Sequence, residues 1–143
     1  IRLGTMTGGA KGLLNIGVSV NLVLKAIKSD KIVIDCGGKQ IVEILDIRDA
    51  VDGIIAIINA SSQNWKPVYN LGSSSPIKLL DLTNLIVDFV SEKKGLTKSK
   101  IEINDEGNAV NFGMNCQEFY KNFNWIPKYS VKDSISSLVE HYV

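Results

Sequence analysis

The length, composition and charge of the chain exclude several classes of protein. Its 143 residues are enough for one domain with its own core, and 45% hydrophobic and 22% charged residues are typical of a globular protein rather than a disordered one. The sixteen basic residues are scattered along the chain and nearly balanced by fifteen acidic ones, so we expect no nucleic-acid partner. No apolar run approaches the roughly 20 residues of a membrane-spanning helix, so we expect no membrane partner either.

The first part of the chain predicts a strand, a helix and a hairpin. The segment 2–15 is rich in glycine and threonine, which indicates a short strand that runs into a loop. Apolar residues at i, i+3, i+4 and i+7 predict a helix over 18–28. Two β-branched runs, 31–36 and 40–45, flank a Gly-Gly pair that suits a tight turn, and together they predict a β-hairpin.

A second helix is predicted over 46–60. Asp46 followed by Asp49 resembles a capping box, and apolar residues then recur at helical spacing. The apolar stripe of this helix consists of Val51, Ile54, Ile55 and Ile58.

The second part of the chain predicts two short strands and three helices. The most strongly patterned helix has stop signals in Lys93, Lys94 and Gly95. The predicted elements are strands over 68–71 and 101–103 and helices over 79–90, over 114–123 and at the C-terminus.

Several single residues could serve in catalysis or binding, but each also has a structural explanation. His141 lies near the end of the last helix, where a cation complements the helix dipole, so we expect a surface role. Asp46, Asp49 and Asp52 could form a carboxylate site, but helix capping explains them better. Trp125 could stack on a base or sugar, and core packing is the preferred interpretation.

The glycines and cysteines give no clear functional pattern. Gly8, Gly9 and Gly12 could cradle a phosphate, but their spacing differs from the dinucleotide-binding fingerprint. Cys36 and Cys116 lack the clustering of metal or redox sites, which indicates two free, buried thiols.

Four segments form an ordered series along the chain. RLGTMTG at 2–8 is similar to R-x-x-N-x-Y-G, and KQIVEILDIRDAV at 39–51 is similar to K-Q-x-R-D-x-x-x-V-x-D-V-V. VYNLGS at 68–73 is similar to V-Y-N-I-G-S, and NWIP at 124–127 is similar to G-W-x-P. In this order the segments resemble the last half of the extended short-chain dehydrogenase/reductase family, the NAD-dependent sugar-nucleotide epimerases and dehydratases.

The resemblance implies a fold, and it implies different roles for the N-terminal and C-terminal parts of the enzyme. The expected fold is α/β: the C-terminal substrate-binding portion of an extended Rossmann-type fold, with helices, short strands and a β-hairpin. Residues 1–143 would form a single domain, a C-terminal fragment of a larger enzyme whose N-terminal half binds NAD and carries the catalytic Tyr and Lys. The start at Ile1 rather than Met agrees with a fragment. Such a fragment would be inactive, would not bind NAD itself, and would be cytoplasmic.

The resemblance also implies which residues contact the nucleotide sugar. The six candidates lie in the first segment, the first helix and the predicted hairpin; they are Thr5, Asn21, Leu22, Lys39, Gln40 and Val42. No catalytic, cofactor-binding or metal-binding residue is expected in this chain.

Two of these positions depart from the family pattern. Val42 stands where the family has an arginine that meets the phosphates, and Thr5 stands where it has an asparagine. No second arginine occurs between Glu102 and Met114 either. If the substrate is a nucleotide diphosphate sugar, Lys39 or Arg48 would have to hold it instead.

Two functions therefore stay open. The first is the substrate-binding portion of an epimerase or dehydratase, with a nucleotide sugar and the N-terminal half as partners. The second is a non-catalytic binding or interaction domain on the same scaffold, because fold does not fix function. In the first case, strands that belong to the sheet of the missing half would leave an exposed edge, which favours a homodimer.

Overall fold

The computed structural model describes residues 1–9 and 17–143. The helices within these ranges are α1 Val18–Ile27, α2 Ile47–Asn59, α3 Leu79–Lys94, α4 Gln117–Phe123 and α5 Val131–Tyr142. The strands are β1 Arg2–Leu3, β2 Met6–Thr7, β3 Ile32–Ile34, β4 Ile41–Glu43, β5 Leu45–Asp46, β6 Asn70–Leu71, β7 Pro76–Lys78 and β8 Ile101–Ile103. This mixed architecture confirms the predicted α/β class. The loop predicted to follow β2, with Gly12, lies outside the described residues from position 10 onward.

The strands pair two by two. β1 pairs with β6, β2 with β5, and β3 with β8, all in parallel, whereas β4 and β7 are antiparallel. The predicted hairpin is therefore wrong: its two strands, β3 and β4, both exist, but each pairs with a strand far away in sequence.

The turn between β3 and β4 explains the error. Cys36, Gly37 and Gly38 all have positive φ, between 55° and 66°, and form one 3-10 turn. The amides of Cys36 and Gly37 donate to the carbonyls of Glu106 and Asn104, at 3.1 and 2.9 Å. These bonds tie the turn to the segment after β8, and they do not join β3 to β4.

Helices α1, α3 and α5 enclose the larger part of the core. Their apolar faces meet around Val23, Ile86 and Leu138, which are at most 2% exposed. α3 ends at Gly95, whose φ of 64° is the left-handed conformation that stops a helix. Within the described residues, no helix is long and apolar enough to span a membrane.

An aromatic cluster forms a second, smaller part of the core. Phe119 is fully buried among Tyr69, Phe123 and Trp125, with ring centroids 4.7 to 6.3 Å apart. Trp125 is only 6% exposed, which confirms its predicted role in the core. α4 begins three residues later than predicted.

Helix α2 has the predicted position but turns its apolar stripe outward. Its buried side packs closely on β6, because a Cβ at Gly53 would lie 3.0 Å from both methyl carbons of Leu71. The residues of the opposite stripe are between 40% and 73% exposed; they are Val51, Ile54, Ile55 and Ile58. We call these four residues the α2 apolar face.

Candidate functional site

Three adjoining cavities form a cleft along β4. The central cavity has a volume of about 480 Å³, and it shares Val18, Gln40 and Leu79 with a helix-side cavity of about 450 Å³. It shares Thr5 and Phe112 with a strand-side cavity of about 220 Å³. These shared walls join the three cavities into one continuous cleft.

Hydrogen bonds to β4 and its flanks fix the walls of the cleft. The amide of Phe112 donates to the carbonyl of Ile41 at 2.8 Å, and the Ile41 amide donates to Asn111 Oδ1 at 3.1 Å. The Leu79 amide donates to the carbonyl of Gln40 at 2.8 Å, just after β7. The irregular segment 108–112 and the start of α3 are thereby held beside β4.

The central cavity has a mostly apolar lining. Its polar lining residues, Thr5, Gln40 and Asn108, are all uncharged. The apolar lining residues are Val18, Val42, Ile44, Leu79, Val110 and Phe112.

Charged residues lie at the two ends of the cleft. The helix-side cavity is lined by Lys25 and Asp35, one of each sign. The strand-side cavity is lined by Glu43, whose carboxylate accepts hydrogen bonds from the amides of Ser74 and Met114 at 3.1 and 2.9 Å. The Glu43 carboxylate is thus already engaged with the protein backbone.

Comparison with solved structures gives clear matches over almost the whole chain. The dTDP-glucose 4,6-dehydratase of Bacillus anthracis, solved with NAD, matches 99% of the chain at 20% identity with a TM-score of 0.77. The UDP-glucose 4-epimerase of Thermotoga maritima, solved with UDP-glucose, matches 99% at 14% identity with a TM-score of 0.77. The UDP-glucuronic acid 4-epimerase of Bacillus cereus, solved with UDP-glucuronic acid and NAD, matches 98% at 17% identity with a TM-score of 0.75.

These matches decide the fold. The chain has the fold of the C-terminal part of sugar-nucleotide epimerases and dehydratases. It spans 43% to 44% of the length of the three enzymes. No protein-family model and no curated protein matches it by sequence.

Five of the six predicted substrate-binding residues line the cleft of this epimerase/dehydratase fold. Thr5, Gln40 and Val42 line the central cavity, and Asn21 and Leu22 line the helix-side cavity. The structure therefore brings them together, and their contact with a substrate stays a prediction.

The two cations suggested as holders of the substrate, Lys39 and Arg48, are not among the lining residues of the three cavities. Lys39 is exposed and lies over Gly37, where an added Cβ would be 3.2 Å from its Cε. Arg48 donates to both carboxylate oxygens of Asp46, at 2.8 and 2.7 Å, and its guanidinium lies 3.6 Å from the Tyr129 ring centroid. The Nε and one Nη of Arg48 are thus engaged with Asp46, and Arg48 is not among the lining residues of the three cavities, so a contact with the substrate stays a prediction.

Asp46 caps α2, as the sequence predicts. Its carboxylate accepts a hydrogen bond from the Arg48 amide at 2.9 Å. Burial alone would raise the pKa of Asp46, but the hydrogen bonds from the side chain and backbone of Arg48 outweigh it and lower that pKa. The same pairing raises the pKa of Arg48. Both groups stay charged and structural.

Asp49 has a different role from the predicted capping box. It is fully buried and accepts hydrogen bonds from the amides of Lys128 and Tyr129, at 3.0 to 3.1 Å. The neighbouring Asp52 pairs with the Lys128 ammonium at 2.6 Å on the surface. Through these hydrogen bonds, Asp49 holds α2 against the segment just before α5. The last aspartate of the 39–51 segment therefore has a structural role.

Gly8 and Gly9, directly after β2, pack closely against the rest of the protein. A Cβ on Gly8 would lie 2.8 Å from Ile47 Cγ2, and one on Gly9 would lie 2.4 Å from the Ser137 carbonyl oxygen. The Gly9 amide donates to Ser137 Oγ at 3.3 Å. The side of each residue on which a Cβ would stand therefore faces the protein, and the Gly9 amide already has an acceptor.

Two titratable side chains, Cys116 and Tyr120, interact with Glu43, which lines the strand-side cavity. Burial raises the pKa of the Cys116 thiol and of the Tyr120 hydroxyl, and that hydroxyl donates to the Gly72 carbonyl at 2.8 Å. Both groups are therefore neutral at physiological pH, which does not suit a nucleophile or a general base.

Sequence reasoning missed the wall formed by 108–112. This stretch contains asparagines and has no regular periodicity, so its sequence indicates only a polar, turn-rich segment. The one available signal was the spacing of two residues between Val110 and Phe112, which places both on the same side of an extended chain.

Proposed function

We propose that this chain is the substrate-binding, C-terminal part of an NAD-dependent sugar-nucleotide epimerase or dehydratase. The carrying observation is the cleft along β4, lined by five predicted substrate-binding residues within a fold shared with such enzymes. A nucleotide sugar is the proposed ligand of this cleft, and a cytoplasmic location is part of the proposal.

NAD and the catalytic residues belong, in this proposal, to a separate N-terminal half. The chain covers less than half of the length of the similar enzymes, some of which are solved with NAD, and the Gly9 amide already has an acceptor within the chain. We therefore expect the 143-residue chain alone to be inactive and not to bind NAD.

The open surfaces of the chain support a second half. The α2 apolar face is exposed, and among the described strands β1 pairs on one edge only, with β6. A parallel strand added to β1 would satisfy the backbone of its free edge, and a second half that also contacts the outer side of α2 would bury the α2 apolar face.

Calorimetric titration of the chain with UDP, dTDP, GDP and CDP sugars tests the proposal. We expect saturable binding of sugars carrying one of these nucleotides and no binding of NAD. Absence of binding to every nucleotide sugar, in a chain shown to be folded by circular dichroism, would contradict a competent substrate half.

A non-catalytic binding domain is the second candidate function. The observation that favours it is Val42, which lines the central cavity at the position of the family's phosphate-binding arginine. The sequence of the gene upstream of Ile1 separates the two functions. A strand with a glycine-rich turn and a later Tyr-x-x-x-Lys would support the enzyme, and their absence would support the binding domain.

The exposed surfaces predict that the isolated chain self-associates. Light scattering should show a dimer or larger species, because an apolar face and a free strand edge both favour pairing. The double variant Ile54→Glu, Ile58→Lys places an ion pair at i,i+4 on the α2 apolar face and should shift the chain towards the monomer.

Ile126→Lys is the matched control for this variant. Ile126 is 66% exposed but lies outside α2, so its replacement should leave association unchanged. A wild-type chain that stays monomeric at high concentration would contradict the prediction.

A further inference from the structure

Glu43 is a buried carboxylate that joins two segments distant from it in sequence. It is only 7% exposed, and it accepts the Ser74 amide on Oε1 and the Met114 amide on Oε2. Hydrogen bonds to a charged acceptor are stronger than those between neutral groups, and a buried carboxylate without them is costly. We call this carboxylate and its two amide donors the Glu43 clamp.

The backbone packs closely around the carboxylate. A Cβ on Gly72 would collide with Glu43 Oε1 and would lie 3.1 Å from Cys116 Sγ, so only glycine leaves room for both side chains. A Cβ on Gly113 would lie 3.5 Å from Oε2. The thiol of Cys116, which is 1% exposed, is therefore packed against the same stretch of backbone as the clamp.

The clamp lies where the chain passes between the two parts of the core. β4 borders the larger part, because Val42 packs against it. Ser74 follows β6 and Met114 precedes α4, and both of these elements contribute buried residues to the aromatic cluster. One carboxylate thus fixes two connections between the aromatic cluster and the larger part of the core.

The clamp also holds one wall of the cleft. Residues 112–114 line the strand-side cavity, and we call them the strand-side wall. The chain between β8 and α4 has neither helix nor strand over 104–116, so its position depends on its bonds to other segments. Its bonds to β4 and its flank are those of Asn111 and Phe112 with Ile41, and that of Met114 with Glu43. The Glu43 bond is the one nearest to Cys116.

We propose that Glu43 is a positioning residue: its carboxylate holds the strand-side wall closed, and release of the clamp opens that wall locally while the larger part of the core stays folded. The inference deepens the proposed function and rests on it for its significance, because a ligand that fills the cleft would contact the same wall. The opening itself is a property of the fold and can be measured without a ligand.

Thiol labelling followed by mass spectrometry measures the opening. A buried thiol such as Cys116 reacts only when its surroundings open, whereas the partly exposed Cys36, in the turn after β3, serves as an internal reference. In the wild-type chain we expect the rate of Cys116 labelling to be insensitive to urea up to about 1 M, since local opening exposes little surface.

Two variants release the clamp in different ways. Glu43→Gln keeps the size of the side chain but only one acceptor oxygen, and Glu43→Asp keeps the charge but is one methylene shorter. Each should raise the rate of Cys116 labelling by about tenfold and leave that of Cys36 within about twofold. Burial, together with the Glu43 charge, raises the pKa of Cys116, so the charge-retaining Glu43→Asp separates opening from an electrostatic effect on the thiol.

Glu102→Gln is the matched control. It removes a carboxylate that pairs with Lys31 and Lys100 at the surface of β8, so both labelling rates should stay unchanged.

UDP-glucose and dTDP-glucose connect the clamp to the proposed function. A ligand that binds only the closed wall should slow Cys116 labelling by about tenfold at about ten times its Kd. The Kd itself should change by less than about threefold in the two Glu43 variants, because the closed wall still predominates in both. A tenfold weaker Kd with unchanged Cys116 labelling would show a direct contact between Glu43 and the ligand, and would overturn the positioning role.

Two further results would overturn the inference. Cys116 labelling within about twofold of wild type in both Glu43 variants would show that the wall does not depend on the carboxylate. Labelling that rises with urea as steeply as global unfolding would show that Glu43 only stabilises the fold as a whole. This wild-type measurement decides even if a variant does not fold. Failure of both nucleotide sugars to bind, with labelling as expected, would count against the proposed function and leave the clamp intact.

Discussion

Phe119→Ala should lower the free energy of unfolding by about 4 kcal/mol. The Phe119 ring is fully buried, and its centroid lies 4.7 Å from that of Phe123 and 5.3 Å from that of Trp125. The substitution leaves a cavity in the smaller part of the core, where few other side chains can move in. Urea unfolding followed by circular dichroism measures the loss.

Phe112→Ala is the matched control, because the same atoms are removed from a side chain that is 64% exposed in the wall of the cleft. Its effect on stability should stay below about 1 kcal/mol. Equal losses for the two variants would contradict the burial of Phe119.

Asp49→Ala should cost about 3 kcal/mol of stability. The carboxylate is fully buried and accepts hydrogen bonds from the amides of Lys128 and Tyr129. Without it, both amides lose their acceptor while the chain before α5 loses its attachment to α2. The expected result is a lower midpoint of urea unfolding at an unchanged slope.

Asp52→Ala provides the comparison for Asp49. Asp52 lies one turn further along α2 and pairs with Lys128 at the surface, so its loss should be much the smaller of the two. Asp49→Asn keeps one acceptor oxygen and should fall between them. A loss at Asp52 as large as that at Asp49 would show that the surface ion pair, rather than the buried hydrogen bonds, holds the two segments together.

Local patterns predicted the helices well. The apolar spacing over 18–28 gave α1 to within one residue, and Gly95 marked the end of α3, because both signals act within one or two helical turns. The direction of the α2 apolar face could not be read in the same way. Amphipathicity shows that a helix has an apolar side, but the partner that covers that side need not lie in the same chain.

Long-range pairings escaped prediction for a different reason. Strands β3 and β4 have the composition of a hairpin, but their partners β8 and β7 lie far along the chain and leave no mark on the local sequence. Asp49 is similar: its spacing from Asp46 suits a cap, whereas its hydrogen bonds reach residues 79 and 80 positions away. A local motif and a tertiary contact can share the same residue types.

The candidate site was predicted mainly through the resemblance. That comparison drew attention to Thr5, between β1 and β2, and to Gln40 and Val42 at β4, which composition alone would not have connected. It did not locate the wall at 108–112, and it offered Arg48 as a holder of the substrate although Asp46 already binds its guanidinium.

The division of the core into two parts predicts which part unfolds locally first. The cluster between α1, α3 and α5 contains fourteen buried apolar residues, and the aromatic cluster contains six, so the latter should open locally at lower free energy. The cleft borders both parts: Leu79 packs against the first, and Leu3 lies in the strand that pairs with Leu71 of the second. A ligand that fills the cleft would therefore couple the two cooperative units by mass action, so that occupancy protects the weaker one from unfolding.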